Sequence, residues 1–245
     1  MKQRLDNLVV SLGLADSREQ ARRLILAGEV RVNGHPATKA GHLFADDSLI
    51  EVAARPRFVS RGGDKLEGAF IAFNPDVNGL DCIDIGASTG GFTDCLLQHG
   101  AARVIAIDVG RAQLHERLRQ DPRVTVMERF NARHLTANDL PFVPQFGVVD
   151  VSFISLRLIL PPLTTVMAPG SYLVTLIKPQ FEAGRGQAPG GVVRDPLVHQ
   201  EVISAIKEFG SATVGLTWLN LVESPLRGPE GNIEFLACWQ TPKEN

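Results

Sequence analysis

Four charged residues stand in four separate motifs: Lys65 in SRGGDKL, Asp150 in VVDVSFISL, Lys178 in LIKPQF and Glu234 in GNIEFLACW. Three of them follow or lie in apolar, strand-like runs, where an unpaired charge would be costly. Charges placed there are expected to point into a shared cleft. Two amines and two carboxylates can orient one another, handle a proton and stabilise a developing oxyanion. Between the first two motifs lies a glycine-rich turn, Asp84-Ile-Gly-Ala-Ser-Thr-Gly-Gly. Glycine at such a bend lets the backbone approach a ligand closely. The combination implies an enzyme that moves a group from a nucleotide-like cofactor onto a hydroxyl.

Spacing narrows the cofactor. A dinucleotide fingerprint needs glycine two residues after Gly86, and position 88 is Ser. A phosphate-binding Walker loop has glycines five apart, which Gly86 and Gly91 satisfy, but it then needs Lys where residue 92 is Phe. The remaining candidate is the turn of S-adenosylmethionine-dependent methyltransferases. In that reading Asp84 helps hold the methionine portion, and the backbone of Gly86, Ala87, Ser88, Gly90, Gly91 and Phe92 lines the cofactor. Asp108, at the end of the next strand, is placed to accept from both ribose hydroxyls. Asn131, after a third strand, is placed to meet the adenine edge.

The elements that must hold these residues alternate. Leu80–Ile85 reads as a buried strand, Phe92–His99 as a helix, Val104–Asp108 as a strand and Arg111–Gln120 as a helix. Strand-like runs at Arg123–Met127, Val148–Val151 and Tyr172–Ile177 follow, with a helix over Leu156–Met167. Val198–Phe209 and Ile233–Trp239 continue the alternation. This order implies an α/β fold, a mostly parallel sheet with helices on both faces. The glycine-rich segment 184–195 reads as a mobile loop. Its Arg185 and Arg194 are candidate phosphate contacts. Phe153, just beyond Asp150, fits either a core position or a platform for a splayed base.

The first 54 residues read differently. Leu5, Leu8, Val9 and Leu12 recur at helical spacing, and Ser17 with Gln20 has the form of a capping box opening a second helix. Val30 and Val32 run into Asn33-Gly34, a tight-turn signal. A small α+β domain over 1–54, a linker over 55–60 and a large domain over 61–245 are expected. Arg18, Arg22 and Arg23 share the second helix, and Arg31 and Lys39 flank the hairpin. The stretch RLDNLVVSLGLADSREQARRLILAGEVRVNG resembles the small RNA-binding domain of the ribosomal small-subunit protein S-four. That resemblance implies docking on the phosphates of folded RNA, contacts that position rather than read sequence.

Composition is that of an ordinary globular protein, with 44% hydrophobic and 21% charged residues and a net charge of -2. A small basic excess in residues 1–65 is offset by an acidic remainder. Cys82, Cys95 and Cys238 show no paired spacing, so they are expected to be reduced, in a cytoplasmic protein without a metal site. No apolar run approaches the ~20 residues needed to span a bilayer, and the N-terminus lacks the apolar core of a secretion signal.

SRGGDKL, DIGASTGGFTD, VVDVSFISL, IKPQFE and GNIEF also occur here in the order seen in the TlyA family, also called haemolysin A. The resemblance spans nearly the whole chain. It implies an S-four-like domain joined to an FtsJ-like, Rossmann-like methyltransferase domain, S-adenosylmethionine as cofactor, and 2′-O-methylation of ribosomal RNA, on cytidine. The family's Lys-Asp-Lys-Glu tetrad falls on Lys65, Asp150, Lys178 and Glu234. Ribosomal RNA or ribosomal subunits are the implied partners, with no membrane. Two alternatives stand beside this: a non-catalytic RNA-binding or assembly factor, which predicts a broken tetrad, and a membrane-acting haemolysin, which needs a route into a bilayer.

Overall fold

The computed structural model describes residues 2–52, 56–184 and 186–243. They form two compact units, Met1–Pro56 and Arg57–Asn245.

In the first unit, strand β1 (Lys2–Arg4) leads into helix α1 (Leu5–Ser11), followed by helix α2 (Arg18–Leu26). Strands β2 (Val30–Val32), β3 (His35–Pro36), β4 (Leu43–Ala45) and β5 (Ile50–Val52) complete it. The Ser17 side chain accepts from the Gln20 amide, as the sequence implies, while the Gln20 side chain returns to the Asp16 amide. Leu5, Leu8, Val9, Ala21, Leu24 and Ile25 bury the facing stripes of the two helices against Val30, Val32 and Ile50. Strands β3, β2 and β5 pair antiparallel, and β1 pairs with β4, a pairing the apolar pattern does not announce.

The second unit begins with helix α3 (Arg61–Phe73), strand β6 (Asp81–Ile85), helix α4 (Gly91–Gln98) and strand β7 (Arg103–Asp108). Helix α5 (Glu116–Arg119), strands β8 (Val124–Glu128) and β9 (Phe146–Val149), helix α6 (Leu160–Val166) and strand β10 (Tyr172–Ile177) follow. Helices α7 (Pro179–Glu182) and α8 (Pro196–Glu208) precede strands β11 (Thr217–Glu223) and β12 (Phe235–Gln240). The seven-stranded sheet has the order β11-β12-β10-β9-β6-β7-β8. Its five strands from β8 to β10 are parallel, while β12 is antiparallel to both β10 and β11. Leu66, Phe70, Phe92 and Leu96 of α3 and α4 cover one face. Leu160, Leu163, Val202 and Ile206 of α6 and α8 cover the other. Helices on both faces explain why β6, β9 and β10 are buried along almost their whole length.

The topology gathers one edge. The chain winds outward from β6 to β7 and β8, then returns to β9 on the other side of β6. Such a reversal opens a crevice beyond the carboxyl ends of the strands. Because β12 is antiparallel, with Phe235 opposite Ile177, its beginning lies at that same edge.

Three local expectations are corrected. The helix expected over Arg111–Gln120 shrinks to the single turn α5, because Glu128 captures the amides of Ala112 (2.8 Å) and Gln113 (3.1 Å), and Ala112 adopts φ +52°. Leu156–Met167 is a short 3-10 turn and then α6, whose first turn accommodates Pro161 and Pro162. The segment 55–60 is not a bare linker: Phe58 is buried in the core of the second unit, and the Val59 amide donates to Asp94 at 2.8 Å. Arg55 lies outside the described residues.

Candidate active site

Two contiguous cavities open at the crevice. One, of about 280 Å³, is the more polar and is bordered by Arg61, Lys65, Asp150, Ser152, Lys178 and Arg227. The other, of about 300 Å³, is largely apolar, walled by Ile107, Val109, Phe130, Val151 and Ile154 with Asp108 and Asn131 among them. Gly86, Ser88, Asp150 and Ser152 line both, so the two meet over the ends of β6 and β9.

The close meeting of those ends depends on Gly86. At φ +85°, a side chain there would collide with the backbone carbonyl of Asp150. Gly91 does the same service at the start of α4, where a Cβ would stand 2.5 Å from Ser60 Oγ and 2.7 Å from the Gly63 amide. Helix α3 therefore abuts the turn directly, which brings Lys65 to the polar cavity. Ser88 (φ +47°) and Phe153 (φ +61°) adopt a conformation that costs side-chain-bearing residues energy.

The four tetrad positions come together as two ion pairs. Lys178 follows β10, is 7% exposed, and places Nζ 2.5 Å from Asp150 Oδ1. It donates a hydrogen bond to Ser152 Oγ at 2.9 Å. Lys65 places Nζ 2.5 Å from Glu234 Oε2, and Gln180 Nε2 donates to the other Glu234 oxygen at 3.3 Å. Glu234 is buried behind Lys65, outside the cavity wall.

The glycine-rich turn distributes its residues unevenly. Gly86, Ala87, Ser88, Gly91 and Phe92 line the polar cavity; Asp84 and Gly90 do not reach either wall. Asp84 is fully buried, with Oδ2 accepting from Thr93 Oγ1 at 2.6 Å, and burial pushes its carboxyl up to about 7. Its Oδ1 has no hydrogen-bond partner among the described residues. Asp84 is thus tied to α4 through one carboxylate oxygen and borders neither cavity. Asp108 accepts from the amides of Ser88 (2.8 Å) and Gly110 (2.7 Å), so it shapes the loop as well as facing the apolar cavity. Asn131 lines the same cavity while its Oδ1 accepts from Arg133.

Outside the cavities, Arg18 and Arg22 of α2 do not stand free. Both donate to Asp6, at 3.0 and 3.1 Å, alongside Arg4. These guanidiniums hold the buried Asp6 carboxyl well below the usual carboxylate range. Arg23, Arg31 and Lys39 are exposed. Arg194 is exposed in the second unit, and Arg185 lies outside the described residues. The segment read as a mobile loop is anchored at 191–193: Asn232 accepts from the Val193 amide and donates to the Gly191 carbonyl. Phe153 is 90% exposed and packs on Phe181 at 4.9 Å, so it is not a core residue. Glu67, Cys95 and His99 bring ligand-type atoms within 4.8 Å, but Arg57 and His99 already engage Glu67 at 2.5 and 2.7 Å.

Sequence reasoning missed Ser152, Gln180 and Asn232, although each lies inside a quoted motif. It also missed Arg4 and Asp6. The signal available for Asp6 was an acid at an otherwise apolar helical position.

The FtsJ-like methyltransferase family matches residues 58–241, and the S4 domain family matches residues 3–45. The chain belongs to the TlyA (hemolysin A) family of FtsJ-like methyltransferases. Among its relatives, the 16S/23S rRNA (cytidine-2′-O)-methyltransferase TlyA of Mycobacterium tuberculosis is 45% identical over 97% of this chain and 90% of its own length. YqxC of Bacillus subtilis, described as a candidate rRNA methyltransferase, is 50% identical over 99% of this chain and 87% of its own. A solved structure described as a candidate hemolysin, from Streptococcus thermophilus, has a TM-score of 0.76 and 44% identity and covers 100% of this chain and 91% of that one. TlyA-family enzymes are S-adenosylmethionine-dependent.

The residues present fit that cofactor. The apolar slot with a carboxylate at its rim suits a purine ring and a ribose diol. The polar cavity beside it suits a charged amino-acid tail and an incoming hydroxyl.

Proposed function

We propose that this chain transfers a methyl group from S-adenosylmethionine to the 2′-hydroxyl of a cytidine in ribosomal RNA, presented in the cytoplasm as RNA or as a ribosomal subunit. The reading is carried by one observation: a nearly buried lysine paired with a carboxylate at the junction of a nucleoside-shaped slot and a cation-rich well. Bound S-adenosylmethionine supplies an electrophilic methyl on a sulfonium.

The side chains supply the rest. Lys178 holds the acceptor hydroxyl and meets the negative charge its oxygen develops as the hydroxyl proton is released to solvent water and the methyl moves to that oxygen. Asp150 pairs with that amine at 2.5 Å. The ion pair with Asp150 suits Lys178 to a charged, stabilising role. Lys65, held by Glu234, positions the ribose. Attack that consumes opposite charges runs best in a site shielded from water, which the burial of both pairs provides. Asp108 and Asn131 hold the nucleoside, and the backbone of Gly86–Ser88 and Gly91–Phe92 lines the remainder. The first unit, an RNA-binding domain, engages phosphates through Arg18, Arg22, Arg23, Arg31 and Lys39. Arg194 and Arg185 add contacts from the methyltransferase domain.

The intact pairs disfavour a purely RNA-binding factor. As for a membrane-acting haemolysin, no helix among the described residues is long and apolar enough to cross a bilayer.

Lys178→Ala is the test. Methyl incorporation into RNA should fall by about a thousandfold, while the Kd for S-adenosylmethionine stays within about threefold. Wild-type turnover in this variant would reject the assignment. Labelling intact ribosomes, separate subunits and naked RNA, then mapping the modified sugar, identifies the substrate.

A further inference from the structure

An ammonium on a four-carbon stem is a flexible point charge. A single ion pair leaves it free to swing about its carboxylate. The 2.5 Å contact between Lys178 and Asp150 is short but is not aligned as a hydrogen bond. Among the described residues, the aligned acceptor of Lys178 Nζ is Ser152 Oγ, at 2.9 Å.

Ser152 is not a casual loop serine. It stands two residues beyond Asp150 and lines both cavities, whereas Lys178 lines only the polar one. The loop that carries it is held from α7: Glu182 accepts from Ser155 Oγ at 2.6 Å and from the Leu156 amide at 2.7 Å. The neighbouring Phe153 rests on Phe181. Among the described residues the Ser152 hydroxyl donates to no protein acceptor, so its hydrogen is available to a ligand at the junction.

We propose that Ser152 is a positioning residue for methyl transfer: its oxygen fixes the Lys178 ammonium at the junction of the two cavities, aimed at the acceptor hydroxyl. This rests on the role given to Lys178 above. The charged groups around Lys178 are Asp150 after β9, Arg61 and Lys65 on α3, Arg227 before β12, and Glu234 behind Lys65. None of these is altered by changing Ser152.

The experiment compares Ser152→Ala, Ser152→Thr and Lys178→Ala in the full chain, with RNA and S-adenosylmethionine. Ser152→Ala should lower single-turnover rates about tenfold, with cofactor Kd and RNA KM within about twofold of wild type. Ser152→Thr should restore the rate.

A Ser152→Ala variant with the wild-type single-turnover rate overturns the inference. So does one whose loss tracks a lower Tm and weaker cofactor binding, without rescue by Thr. If Lys178→Ala is dead while Ser152→Ala is normal, only this inference fails. If Lys178→Ala retains turnover, the underlying reading fails with it.

Discussion

Both units bury carboxylates beneath cations, in different ratios. In the first, one fully buried acid, Asp6, meets Arg4, Arg18 and Arg22, whose side chains remain 40–51% exposed. In the tetrad of the second, each acid meets one lysine, and both pairs are largely covered, with the side chains of Lys178 and Lys65 only 8% and 12% exposed. Surplus charge left at the surface attracts a polyanion and arrays guanidiniums in fixed directions. Balanced pairs in a low-dielectric crevice attract little from a distance but interact strongly with whatever charge develops beside them. On the proposed reading, the same chemistry of acid and base yields a docking surface in one place and a reaction site in the other. Stoichiometry and burial make the difference.

The comparison can be attacked first where the effect is largest. Glu234→Gln keeps the shape but strands the Lys65 charge, and methyl transfer should fall about a hundredfold, with cofactor affinity nearly unchanged. A rate close to wild type would show that the second pair does not serve the reaction.

Asp6→Asn removes the shared carboxylate of the first unit. RNA KM should rise about tenfold, while turnover at saturating RNA stays within about twofold. A collapse of turnover would erase the distinction between the units. This variant also has a pH signature. Because the Asp6 carboxyl is held low in the folded protein, its stabilisation is present above the usual carboxylate range and is lost as pH falls. Thermal melts below about pH 4 should therefore bring wild type and Asp6→Asn together.

The smallest effect belongs to Arg22→Ala. RNA affinity should weaken a few-fold, and the slope of log K against log salt should shrink by about one. An unchanged slope would mean that this guanidinium serves Asp6 alone.

Much of the second unit was legible because its central strands are buried on both faces and read as mostly apolar runs. The glycine spacing and the charges at strand ends marked the crevice. The helix expected at Arg111–Gln120 failed because a distant carboxylate, Glu128, competes for its amides, a contact invisible to local periodicity. The loop at 184–195 misled for a similar reason: its composition is flexible, but Asn232, some forty residues on, fixes its end. The tie from Asp84 to Thr93 was equally hidden, since local pattern does not show that a strand-end acid meets a hydroxyl on the neighbouring helix.

The order of motifs and the residue types within them came from the chain itself, because backbone reach, charge and the cost of burying it are local properties. Which amine met which acid did not. Lys65 pairs with Glu234 and Lys178 with Asp150 only because β12 enters the sheet antiparallel and β9 returns beside β6. Strand order is set by the packing of whole faces, and no single motif encodes it.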